Sequence, residues 1–212
     1  MLDNLTPTQV AWVFIVSGYL SGCFMSAYYL PLWIKGIDVT AGTDDGNPGV
    51  ANALARAGWP LGLLSLACDL LKGFIPIRLA LGIMPLDSPW LAAVLVAPAL
   101  GHAFPVFRHF RGGKAIAVSF GTLLGLLPTW QPLFWLAFYY VVFSVVLVVS
   151  PDKFKSILTF ALWVVTVDLT MPWRAIRVGC TMIGTLVVYK HAVAPDAASD
   201  GAKASFRLFR RA

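Results

Sequence analysis

The chain has 212 residues, 58% of them hydrophobic and only 12% charged, with a formal net charge of +6. The charged share is about half that of a soluble domain, and a mean hydropathy of +0.77 excludes a water-soluble globular fold in favour of a polytopic membrane protein. A nucleic-acid partner is not expected; membrane lipids are.

Residues 1–8, MLDNLTPT, lack the basic n-region of a removable signal, so the first apolar run is expected to stay as a membrane helix. Apolar stretches approaching the twenty or so residues of a bilayer span lie at about 9–32, 59–78, 88–107, 115–127, 131–150, 155–172 and 174–194. The fold class is therefore all-α, with about seven transmembrane helices. The fourth stretch is short and glycine-rich, so it is expected to be tilted or incomplete. Several of the tryptophans, among them Trp12, Trp33, Trp59 and Trp130, fall near run ends, where an interfacial ring is favourable.

Counting basic residues on alternate sides gives the orientation. One side receives Lys35, Arg56, Arg108, Arg111, Lys114, Lys153, Lys155, Lys190, Lys203, Arg207, Arg210 and Arg211, and the other only Arg78, Arg174 and Arg177. This asymmetry predicts the N-terminus outside and the C-terminus in the cytoplasm. Residues 1–194 then form one transmembrane domain. Residues 195–212 form a basic, flexible cytoplasmic tail whose FRLFRR end suits anionic headgroups. Cys23, Cys68 and Cys180 lie in apolar runs and read as packing residues. With no glutamate and no His/Cys cluster, neither a metal nor a cofactor is expected.

Two glycine-rich polar loops fall on the cytoplasmic side. The first, around Asn47-Pro48-Gly49, carries Asp44, Asp45, Asn52 and Arg56; its side-chain amides suit hydroxyls or a phosphate, although a plain connector has the same composition. The second crowds Arg108, His109, Arg111 and Lys114 around Gly112-Gly113, just before a helical run. Charges alone would fix orientation; the glycine pair, the lysine and a helix start together describe an anion-binding concavity. Inside the second span, Asp69 and Lys72 share a helical face at i, i+3, and Gly73 and Pro76 are expected to open the backbone to a cavity. Lys72 reads as functional with Asp69 as its positioner. His102 and His191 sit at cytoplasmic span ends; the HxxxxD spacing of soluble-facing acyltransferases fails at Phe107 and Lys114 and is met only by His191 with Asp196, in an Ala/Pro-rich tail.

Three segments together resemble the PlsY family of bacterial membrane glycerol-3-phosphate acyltransferases: GNPGVAN at Gly46–Asn52, DLLKGFIP at Asp69–Pro76 and GHAFPVFRHFRGGKAIAVSFG at Gly101–Gly121. The resemblance covers roughly residues 9–194. It implies a multi-pass protein of the bacterial inner membrane in which acyl phosphate and glycerol 3-phosphate meet at the cytoplasmic mouth of the bundle and yield lysophosphatidic acid. On this likeness His102, Lys114 and His191 are the catalytic candidates. Asn47, Gly49, Asn52, Arg56, Lys72, Arg111, Gly112 and Gly113 are the substrate- and phosphate-binding candidates.

The departures are equally specific. Asp45 stands where the family usually has serine, Ala51 where it has threonine, Ala55 where it has arginine with Arg56 next to it, Ala115 where it has glycine and Ala194 where it has asparagine. Each removes phosphate-binding capacity, and Asp45 adds a repulsive charge. Two readings follow: an active acyltransferase with altered donor or acceptor, or a catalytically silent relative serving as an interaction or assembly subunit with membrane-protein partners. An anion transporter is less supported, since no pair of interrupted spans shows inverted similarity.

Overall fold

The computed structural model describes residues 5–43 and 45–194, together with the backbone of Lys203–Phe206. Asp44, Asp196 and the arginines of the C-terminal tail lie outside the described residues. Thr6 opens the first helix with a capping box: the Gln9 N–H donates to its hydroxyl, the Gln9 side chain accepts from its own N–H, and Pro7 follows. Helix α1 runs Pro7–Cys23 and is succeeded, after a 42° bend, by α2 at Ser26–Lys35. A short α3, Val50–Ala57, leads into α4, Trp59–Leu81. Then come α5, Leu91–Ala103; α6, Ile116–Gly125; α7, Gln131–Val141; α8, Asp152–Thr170; and α9, Arg174–Ala192.

Apart from α3, which lies in the first loop, these helices fall on the seven apolar stretches of the sequence, the first of them broken in two. By length and composition α4 and the stretch Leu91–Arg108 are able to cross a membrane, and the bent pair α1–α2 passes the same test when taken together, as a broken span or a re-entrant loop. The fourth stretch forms the ten-residue α6, short as expected. Helix α4 passes through Pro76 without a break, contrary to the opening expected there.

The fifth stretch departs from the expectation of a full helix. Its second half, VFSVVLVVS, is dominated by β-branched residues, which resist helical χ1 restriction. The helix ends at Val141, passes through a π-turn at Val142–Val146 and becomes an extended strand, β1, at Leu147–Ser150. Strand β1 pairs antiparallel with β2, Lys203–Phe206, in the register Leu147↔Phe206 to Ser150↔Lys203. Among the described residues the fold is therefore helical with one short two-stranded ladder, and part of the tail expected to be flexible is a strand.

Close helix approach is made by small residues, as in other membrane bundles where lipid gives no hydrophobic drive to helix association. Helices α1 and α5 cross at Gly22 and Gly101: a Cβ on Gly22 would overlap the Pro98 carbonyl, and one on Gly101 the Tyr19 carbonyl. Helices α4 and α6 cross at Gly73 and Gly121, which face the Val118 and Leu70 carbonyls in the same way. Between these pairs a core forms around Leu95, Phe160, Trp163, Ile176 and Ile183. Trp163 is fully buried, its indole N–H donating to the Pro132 carbonyl at 2.7 Å, while Trp12, Trp33, Trp59 and Trp130 are exposed.

Replacing Gly121 by Ala is expected to force α4 and α6 apart. The cost is about 1–3 kcal/mol, seen as a lower midpoint of thermal unfolding in detergent. An unchanged midpoint would show that the crossing is loose.

Candidate active site

The α1–α2 bend takes the Phe24 carbonyl out of the helical ladder and leaves it the Ser26 N–H as its backbone donor, at 3.1 Å. Lys72, reaching over from α4, adds a second, charged donor in this apolar setting: its Nζ donates to Phe24 O at 2.7 Å and pairs with Asp69 Oδ1 at 2.8 Å. Ser26, at the start of α2, donates to the same carboxylate oxygen at 2.6 Å, and Ser21 donates back to the Lys72 carbonyl at 3.0 Å. Lys72 is 6% exposed and Asp69 1%. Helix break, lysine and carboxylate thus form one closed polar unit.

Beside this unit lies a cavity of about 1110 Å³. Its polar wall is built from Asp45, Asn47 and Asn52 on and after the first loop, Asp69, His102 at the end of α5, Lys114 before α6, Asp152 and Lys153 at the start of α8, and His191 at the end of α9. Its apolar wall is Leu66, Leu70, Ile116, Phe120, Leu124, Leu133 and Ala137. A space with one charged and one oily wall fits an amphiphile.

The expected site residues divide cleanly. His102, Lys114, His191, Asn47, Gly49 and Asn52 all line the cavity. Lys72 does not: it is spent on Phe24 and Asp69, and the roles expected for the pair are reversed, with Asp69 reaching the cavity and Lys72 positioning it. Arg56 is exposed on the outer side of α3, because Ala53 and Ala57 are the buried positions of that turn; its guanidinium lies beside Gly42. Arg111 is exposed and away from the cavity.

Gly112 and Gly113 also serve a different contact from the one expected. A Cβ on either would overlap His102, on its carbonyl or its imidazole, and the Gly113 N–H donates to the His102 carbonyl at 3.0 Å. The glycine pair lets the loop close on a histidine. Lys190 fixes that closure by donating to the Ala103 and Gly112 carbonyls at 3.0 and 3.3 Å. Of the basic cluster, only Lys114 enters the cavity; Arg108 stacks on the Tyr28 ring at 3.7 Å.

Three polar features of the cavity have chemical consequences. His191 donates from Nδ1 to its own helix at Val187 O, 2.8 Å away, in the arrangement that leaves Nε2 an acceptor. Asn47 Oδ1 is buried without a hydrogen-bond partner, a standing acceptor for a donor such as a hydroxyl. Lys114 Nζ meets Asp45 Oδ2 at 2.7 Å. Burial pushes the Asp45 carboxyl up, but Lys114, the Asn47 N–H and Asn52 outweigh it and hold the group below the usual carboxylate range.

Sequence reasoning counted Lys153 and Lys190 only as charges and passed over Asp152, Tyr140 and Ser156, which also line the cavity. The signal available for Asp152 and Lys153 was Pro151-Asp152-Lys153, a helix start on the side of the glycine loops.

A helical fold, nine α-helices among the described residues, whose charged loops border a cavity with an apolar wall has the architecture of an integral membrane protein. The chain belongs to the glycerol-3-phosphate acyltransferase family, whose model matches residues 12–196. A glycerol-3-phosphate acyltransferase of Shewanella halifaxensis (strain HAW-EB4) is 34% identical over 202 residues, covering 88% of this chain and 90% of the relative. Glycerol-3-phosphate acyltransferase 2 of Thermotoga maritima is 37% identical over 115 residues, and there the chain spans only 58% of the relative's length. Two crystal structures of PlsY (YgiH), an integral membrane glycerol 3-phosphate acyltransferase, match with 26% identity. The lysophosphatidic acid form has a TM-score of 0.72 and covers 85% of this chain and 87% of its own; the glycerol 3-phosphate form has 0.74, with 86% and 88%.

Lys72→Met is expected to cost about 3–5 kcal/mol, because it strands a buried carboxylate. Lys114→Met, at a half-open pair, is expected to cost about 1 kcal/mol or less. Comparing unfolding midpoints in detergent separates the two; equal effects would contradict the structural role given to Lys72.

Proposed function

We propose that the chain transfers an acyl group from an acyl phosphate to glycerol 3-phosphate, forming lysophosphatidic acid at the cytoplasmic face of a bacterial inner membrane. The observation that carries this reading is the joining of Lys114, His102, His191 and the Asn47–Asn52 loop to a continuous apolar wall in one cavity. Phosphate charge rests on Lys114, and the acyl chain lies along Leu66, Leu70, Phe120 and Leu124. A glycerol hydroxyl donates to Asn47 Oδ1 and so is oriented.

In the transfer, the other glycerol hydroxyl oxygen bonds to the acyl carbon, the acyl–phosphate C–O bond breaks, and phosphate leaves with its electron pair. The hydroxyl proton passes to Nε2 of His191. His102, whose Nδ1 has no hydrogen-bond partner, directs a substrate oxygen. Phosphate is a competent leaving group, so positioning and charge stabilisation suffice without a covalent intermediate.

Seven crossings with the N-terminus outside are part of the same proposal. In support, the ends that meet at the cavity belong to α5 and α9, the starts to α6 and α8, and the first loop follows α2. These are the segments that the basic-residue count assigns to the cytoplasm.

The purified chain in mild detergent is expected to release phosphate and form lysophosphatidate from acyl phosphate plus glycerol 3-phosphate. Lys114→Ala and His191→Gln are each expected to lower kcat by about 10²- to 10³-fold, and Asn47→Ala to raise KM for glycerol 3-phosphate about tenfold. A folded, monodisperse sample with no turnover, travelling with stoichiometric partner proteins, would establish the silent subunit instead.

A further inference from the structure

Within the cavity, Asp45 stands where several hydrogen-bond donors converge. Its carboxylate collects three donors: the Lys114 ammonium on Oδ2 at 2.7 Å, and the Asn47 N–H and the Asn52 amide on Oδ1 at 3.1 and 3.4 Å. An ammonium, a backbone N–H and a side-chain amide converging on one anion are the groups that receive a phosphate oxygen. The pair is not sealed in, since the Lys114 and Asp45 side chains keep 22% and 25% of their surface exposed. The segment bearing Asp45 is flanked by Gly42 and Gly46, both at positive φ, +65° and +56°.

We propose that Asp45 is a tethered anion that occupies the phosphate cradle of this cavity and must leave Lys114 before a substrate phosphate can bind. The proposal rests on the reading of the cavity as a phosphate-ester site. A phosphate without further anchorage competes poorly with a carboxylate already in place, whereas a substrate holding a long acyl chain against the apolar wall displaces it. The device therefore selects phosphate groups attached to a chain and returns to Lys114 when inorganic phosphate is left behind. Asp45 is here a specificity residue, acting on substrate through Lys114.

The test is the affinity of the detergent-solubilised protein for inorganic phosphate and for glycerol 3-phosphate, measured calorimetrically for the native chain, Asp45→Asn, Asp45→Ser and Asp152→Asn. Asp152 lines the same cavity and pairs with Lys155, so its neutralisation reports the general effect of removing a negative charge. Both Asp45 variants are expected to bind inorganic phosphate about tenfold tighter or more, Asp152→Asn by at most about threefold. The gain should vanish when Asp45→Asn is combined with Lys114→Met. Affinities that do not rise, or rise no more than with Asp152→Asn, overturn the proposal. Acyl transfer assayed on the same samples keeps the two readings apart. Tighter phosphate binding without turnover in any variant upholds the tethered anion and rejects catalysis; turnover by the native chain with no gain in Asp45→Asn does the reverse.

Discussion

An ammonium group bonded to a broken helix is the constraint around which this structure is arranged. In an apolar medium a buried cation must be met by an anion, and a carbonyl taken out of the helical ladder gathers donors. Lys72 stands between the two, paired with Asp69 and donating to Phe24 O beside the Ser26 N–H. Because it comes from α4, it also ties that helix to the α1–α2 pair. Ser21 and Ser26, on either side of the break, lock the arrangement from the other direction. Asp69 is thereby held at the cavity wall in one orientation, with His102 Nδ1 4.0 Å away.

The cavity itself is assembled from loops distant in sequence, and each is held by a different device. The first loop is held through Asp45, bonded to Lys114 sixty-nine residues on. The second closes on His102 through Gly112 and Gly113. Beneath them, the Gly22–Gly101 and Gly73–Gly121 crossings bring α1, α5, α4 and α6 close enough for such short side chains to meet. The polar wall is thus a product of tight helix contact as much as of charged residues.

How much of this was legible in the sequence follows from the range of the interactions involved. Apolar run length located every long helix, because burial in lipid depends on local composition. The break after Cys23 was not read from the sequence: Gly22 beside it serves equally as a helix-crossing residue, and the Lys72 donor at Phe24 lies forty-eight residues away. The i, i+3 spacing of Asp69 and Lys72 correctly placed them together but could not say which of the two reaches the cavity. Arg111 was grouped with Lys114 by proximity in sequence and Arg56 with the Asn47 loop by family resemblance; both are exposed, Arg56 through the helix phase that buries Ala53 and Ala57. The strand at Leu147–Ser150 had a local signal in its β-branched run, which the hydropathy criterion overrode. The short loop motifs were the most informative part of the chain, since Asn47, Asn52, His102 and Lys114 all meet in the cavity.

Lys190 gives the bundle an order of completion. Its two bonds join the last long helix to the end of α5 and to the glycine loop, and its neighbour His191 enters the cavity from the same turn. During synthesis the preceding helices emerge first, with Lys114 on a loop that has not yet been fastened. The site closes only when α9 docks, so a chain cut short before α9 carries most of the polar wall and none of its clasp.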